Sequence, residues 1–258
     1  MKKPVICFTI ADEKNMPITR RMINSLRKFH SEKELPLVIV GGDDLSQRLE
    51  KDRSFFYRST PVIARELIKE YEYVLKLDGD QLILGSLDFI LSRRDFDVGT
   101  VSNYNRIDPP KYGLVTCAGI PPEMYYNAGL VAMRSEEFIS HWHNLCFSPF
   151  FNNLQYREQD LLNIMCHFGT WKVRHFDQYD PVYDYTAWHG LAAKGEGLKM
   201  KLVDGKVMLP KAEDGYPNRD VEIKVYHFAG GGNESKNYRL CFDEELIKHI
   251  DWLVSNGK

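Results

Sequence analysis

The chain is short of cysteine, of net charge and of long apolar runs, and each shortage excludes something. Its 258 residues include five cysteines, Cys7, Cys117, Cys146, Cys166 and Cys241. They are scattered, odd in number and free of any CxxC spacing, which argues against a disulfide framework and fits a reducing compartment. A formal net charge of -2 gives no electrostatic footing for nucleic acid or an anionic membrane. The apolar run over residues 5–10 is cut off by Ala11-Asp12-Glu13-Lys14, too early for a secretory core or a membrane span. The expectation is a cytoplasmic protein with no transmembrane segment and no nucleic-acid partner. No internal repeat or low-complexity segment interrupts the chain.

What remains is ordinary for a globular domain: 43% hydrophobic and 27% charged residues, on a chain long enough to bury a substantial core as a single domain. Periodicity predicts a buried strand over 5–10, a helix over 18–29 with Met22, Leu26 and Phe29 on one face, and a strand over 35–40. A helix follows over 61–70, with Pro61 placed in its first turn. Strand, helix, strand, helix, strand is the signature of a doubly wound α/β sheet. Further on, strands are expected over 98–102 and 125–133, a helix capped by Ser135, and a helix over 158–168 ending at Gly169. A hairpin around Asp204-Gly205, a strand over 221–228 and a helix over 242–254 complete the pattern.

The strand over 73–77 carries the chemistry, because it stops at Asp78-Gly79-Asp80. Two carboxylates flanking a residue without a side chain can turn towards one point, and Gly79 supplies the backbone freedom. Oxygen ligands converging there suit a hard divalent cation that also carries a diphosphate. The carboxyl end of such a strand is where α/β sheets bind ligands. Far along the chain, His227 follows another β-like run, and its imidazole could complete a metal site begun by the two aspartates. Gly230-Gly231-Gly232 would let backbone N–H groups approach phosphate oxygens, with Lys236 supplying positive charge to a leaving diphosphate. His141-Trp142-His143 is no zinc site, because residues two apart on a helix diverge.

Four blocks in order resemble the GT-A-fold glycosyltransferases, most closely the retaining family that includes glycogenin and bacterial galactosyltransferases (family 8). Asp78-Gly79-Asp80 resembles the DxD metal motif. Tyr126-Asn127-Ala128-Gly129 resembles the segment that contacts the donor sugar. Glu158-Gln159-Asp160-Leu161-Leu162-Asn163 resembles the segment beside the reacting carbon. His227-Phe228-Ala229-Gly230, followed by Lys236, resembles the closing block. The resemblance implies a GT-A-like doubly wound mixed sheet flanked by helices, with a nucleotide-binding half over about 1–100 and an acceptor half over about 101–258.

It further implies manganese or magnesium held by Asp78, Asp80 and His227, and a nucleotide-sugar donor, UDP-linked, contacted by Ala11, Asp12, Arg65, Gly79, Asn127, Gly129, Gly230 and Lys236. Glu158 would bind donor hydroxyls, Gln159 would lie beneath the anomeric carbon, and Asp160 completes the catalytic group; the acceptor is a glycan or other hydroxyl compound. Retention follows only from the resemblance; an inverting enzyme would need Glu158 or Asp160 as a base on the acceptor side. This sequence departs from the family where Lys14-Asn15 replaces the aromatic residue after the first strand, where Glu158 stands for aspartate, and where Asn237-Tyr238 replaces Pro-Trp. The alternatives are a catalytically inactive sugar-nucleotide binder and a sugar nucleotidyltransferase. The latter calls for a glycine-rich loop after the first strand, and residues 11–17 hold no glycine.

Overall fold

A computed structural model describes residues 2–41, 54–102, 118–121, 124–176, 185–186, 199–211, 213, 219–228 and 236–255. The first half runs β1 (Ile6–Ala11), α1 (Met16–Phe29), β2 (Leu37–Gly41), α2 (Ser54–Glu70), β3 (Val74–Leu77), β4 (Gln81–Ile83), α3 (Asp88–Leu91) and β5 (Val98–Ser102). The second runs β6 (Tyr126–Met133), α4 (Glu136–Cys146), α5 (Arg157–Phe168), β7 (Val173–His175), β8 (Tyr185–Thr186), β9 (Lys201–Val203), β10 (Lys206–Leu209), β11 (Val221–Glu222), β12 (Val225–His227) and α6 (Glu244–Val254).

Six strands form the main sheet in the order β2-β1-β3-β6-β5-β7. The first three are parallel, as the alternation of strands and helices predicts, and β6 then enters antiparallel to both β3 and β5. The sheet is therefore doubly wound and mixed. Strand alternation divides its apolar residues between two layers. Ile6, Phe8, Val74 and Val131 pack with α2, α4 and α5 on one face. Cys7, Leu75, Leu77 and Leu130 pack with α1 and α3 on the other. A third cluster joins the two small sheets to α6 through Leu82, Val207, Tyr226 and Leu246.

Two local expectations are corrected. The helix ahead of β3 begins at Ser54, so Pro61 lies inside it rather than in its first turn. Proline deletes one i to i−4 hydrogen bond, and packing of the helix against α4 and the sheet holds it together across the gap. The expected strand over 221–228 is two strands in two sheets: β11 pairs with β10, whereas β12 pairs with β4 and β8. Gly169 caps the C-terminus of α5, as expected, in an extended conformation with φ -87. Other local signals were sound. Ser135 accepts a hydrogen bond from the Phe138 N–H, and Asp204 and Gly205 turn the hairpin with φ 50 and φ 76. Cys7, Cys146 and Cys166 are free thiols, Cys241 is buried, and Cys117 lies outside the described residues.

Candidate functional site

Sheet pairing assembles the site at the carboxyl end of β3. Because β6 runs antiparallel to β3, its first residues come alongside the last of β3, and the Asp78 N–H donates to the Gly129 carbonyl at 2.8 Å. The other side is closed by β12, which pairs antiparallel with β4 so that His227 faces Gln81, and the Phe228 N–H donates to the Asp80 carbonyl at 3.2 Å. His227 Nε2 thereby lies 3.1 Å from Asp80 Oδ1 and 3.5 Å from Asp78 Oδ2. One ligand atom from each residue falls within 4.8 Å of the other two, and this is the one such group among the described residues.

The close approach depends on a missing side chain. A Cβ at Gly129 would sit 2.2 Å from His227 Cε1 and 2.8 Å from Asp78 Oδ2. Two carboxylates and one imidazole, gathered around a space that a methyl group would invade, fit a divalent cation. Burial alone would raise the Asp80 carboxyl; the His227 imidazole beside it, helped by Lys76, outweighs that and holds it below the ordinary carboxylate range.

Lys76 was not singled out from the sequence. It is 5% exposed, its ammonium lies 2.5 Å from Asp78 Oδ1, and it donates to the Ala128 carbonyl at 2.5 Å. Val74, Lys76 and Asp78 share a strand face by the two-residue period. A signal was available: a lysine at an inward position of an otherwise apolar buried strand requires a partner.

The cleft extends both ways from the carboxylates. One lobe is bounded by Tyr57, Thr60, Asn127, Glu158 and Gln159. Helix α5 is fastened to β6 there: the Gln159 side-chain carbonyl accepts from the Ala128 N–H at 3.0 Å, and Asn163 pairs with both backbone groups of Tyr126 at 2.7 and 2.9 Å. Asn127 Oδ1 accepts from the Gly129 N–H at 2.5 Å. Just before Glu158, Arg157 adopts φ 48, a left-handed conformation disfavoured for residues with a Cβ. It is held by donating to the Asn152 carbonyl at 2.7 Å. Burial pushes the Glu158 carboxyl up to about 8, and its Oε2 meets no hydrogen-bond partner among the described residues.

Not every expected residue comes to the cleft. Asp160 is 2% exposed, with Oδ1 accepting from the Tyr125 hydroxyl at 2.5 Å and Oδ2 from the Tyr156 N–H at 2.8 Å. Arg65 lies on the outer part of α2, 3.4 Å from His143 Nδ1. The α2 residues that reach the cleft are Phe56, Tyr57 and Thr60. Asp12 accepts from the Asn15 N–H at 2.8 Å and so closes the turn after β1, while Ala11 is buried. Gly79 lines the cleft against Thr19, whose hydroxyl would be 2.2 Å from an added Cβ. Lys236 is exposed, ahead of the turn Tyr238–Leu240. Gly230 lies outside the described residues.

No protein-family model matches the chain, and no curated protein matches it in sequence. Solved structures do. The galactosyltransferase LgtC, in complex with donor and acceptor sugar analogs, superposes with a TM-score of 0.58 at 15% identity, over 98% of either chain. The apo bifunctional glycosyltransferase WbbM matches with a TM-score of 0.57 at 12% identity; 99% of this chain covers 50% of that one. A glycosyltransferase involved in glycosylation of the major capsid of PBCV-1 matches with a TM-score of 0.55 at 12% identity, over 92% of this chain and 98% of that one. Among the described residues no helix is long and apolar enough to cross a membrane. The mixed α/β architecture of this chain is thus the GT-A-like fold that these glycosyltransferases share.

Proposed function

We propose that this chain is a metal-dependent glycosyltransferase that moves a sugar from a UDP-linked donor to a hydroxyl acceptor with retention of anomeric configuration. One observation carries the reading: Asp78 and Asp80, and His227 from far along the chain, present ligand atoms to one point beside a two-lobed cleft. A divalent cation bound there supplies Lewis-acid neutralisation of the charge that builds on a departing diphosphate.

The surrounding residues do the rest. Lys76 occupies Asp78 Oδ1 and leaves Oδ2 turned to His227, where it would hold a cation. Asn127 and Glu158 line the lobe beyond and offer hydrogen bonds to sugar hydroxyls. The Gln159 side chain, anchored on the Ala128 N–H, would lie beneath the reacting carbon. Inversion would need an ionised carboxylate free to take the acceptor proton. Asp160 has both oxygens engaged elsewhere, and burial raises the Glu158 carboxyl and so disfavours its ionised form. Both facts favour retention.

Incubation with a panel of UDP-sugars and acceptor glycans, with manganese and then with excess EDTA, tests the reading. UDP release that disappears with EDTA, and a product of unchanged anomeric configuration by NMR, are expected. Nucleotide binding without turnover against every acceptor would leave an inactive sugar-nucleotide binder in its place.

A further inference from the structure

The lobe on the other side of the carboxylates has a different character from the one beside Glu158. It encloses about 220 Å³ and is bounded by Ile10 at the end of β1, Ile18 and Thr19 on α1, and Phe56 on the first turn of α2. Asn15 also faces it, and its side chain does not cap α1 although it stands at the N-cap position. Phe56 borders both lobes, as Asp78 and Asp80 do, and it keeps 37% of its surface exposed. An aromatic ring on a cleft wall shared with two isoleucines, beside the proposed metal site, suits a flat apolar face.

A nucleoside diphosphate held through its phosphates at Asp78 and Asp80 must send its base one way and its sugar the other. Hydroxyl-rich groups suit the lobe of Asn127, Glu158 and Gln159. A base suits the lobe of Ile10, Ile18 and Phe56, where its faces meet apolar surface and its polar edge meets the Asn15 amide. We infer that Phe56, from α2, is the stacking platform for the nucleobase of the donor. The inference rests on the proposed nucleotide-sugar site and adds the residue that holds the base.

The test uses the full chain with manganese, titrated by calorimetry with UDP, CDP, GDP, ADP and inorganic pyrophosphate. The diphosphate that binds wild type most tightly is then titrated into Phe56→Ala and Phe56→Trp. Removing the ring should weaken that nucleotide by about tenfold or more, the scale on which base stacking contributes, and leave pyrophosphate affinity unchanged. Phe56→Trp should restore binding, with its fluorescence quenched by the base. Because Phe56 is part-exposed, its removal should not unfold the chain, which a melting curve checks. Unchanged nucleotide affinity in Phe56→Ala overturns the inference, as does an equal loss for nucleotide and pyrophosphate. If no nucleotide binds wild type better than pyrophosphate, the base has no platform and the inference fails while the metal and phosphate site stands. If neither pyrophosphate nor any nucleotide binds, the proposed function fails with it.

Discussion

The ammonium of Lys76 and the carboxylate of Asp78, two residues apart on one strand face, lie 2.5 Å from each other at the proposed metal site. Lys76 is a fixed cation beside the place a mobile one would occupy, and it offsets one of the two carboxylates. Its replacement by methionine keeps the length and apolar stem but removes the charge. Repulsion between close like charges at a part-buried site is large enough that Lys76→Met should tighten manganese binding by about tenfold. Electron paramagnetic resonance of free manganese measures this. Equal affinity in both proteins would mean that Lys76 does not feel the ion.

Gly129 leaves room for the His227 ring. In Gly129→Ala the new methyl would stand 2.2 Å from His227 Cε1 and 2.8 Å from Asp78 Oδ2, so the imidazole must swing out of line. Manganese affinity should fall by about tenfold or more, as it does when metal ligands lose their orientation. Wild-type-like affinity would show that His227 can shift without cost.

Glu158 makes stability depend on pH. Its carboxyl is raised from 4.5 to about 8 by burial, which outweighs a backbone hydrogen bond and the Lys76 charge that lower it; the Asp78 and Asp160 charges add smaller upward pushes. The folded chain therefore keeps a proton there that the unfolded chain releases, so this group favours folding less and less as pH rises from 4.5 to about 8. Glu158→Gln removes the dependence. The variant should gain stability over wild type by about 1–2 kcal/mol between neutral and mildly alkaline pH, a fraction of the full pKa shift because the side chain is not wholly buried. Urea unfolding at several pH values gives the difference, and a gap that does not widen with pH would contradict the assignment.

Asp160 is expected to act through the fold. Asp160→Asn weakens its bonds from the Tyr125 hydroxyl and the Tyr156 N–H, and loss of charge-assisted hydrogen bonds costs about 1–3 kcal/mol. Denaturation should show that loss, while turnover of the folded fraction stays close to wild type. A stable protein without turnover would instead make Asp160 catalytic.

The two strands that flank the site show how far local pattern reaches. β3 stands out as an apolar run that stops at paired aspartates, and Val98–Ser102 follows from its β-branched residues, because both runs are buried strands of the main sheet. The strand over 221–228 has the same local look, yet it divides between two sheets. Which edge a segment pairs with depends on partners far along the chain, and periodicity carries no trace of them. Placing the start of α2 at Pro61 likewise hid Phe56 and Tyr57, which belong to the turns ahead of it.

The sequence by itself determined the alternating strands and helices, the paired aspartates at a strand end and the candidacy of His227, since each is written in side-chain type and short spacing. Only the tertiary structure decided which candidates share a cleft. The antiparallel entry of β6 and the pairing of β12 with β4 carried His227, Gly129 and Gln159 to Asp78 and Asp80, while Asp160 turned inward and Arg65 outward. The reason is that a residue's neighbours along the chain set its backbone, whereas its direction into a site is set by whatever packs across from it.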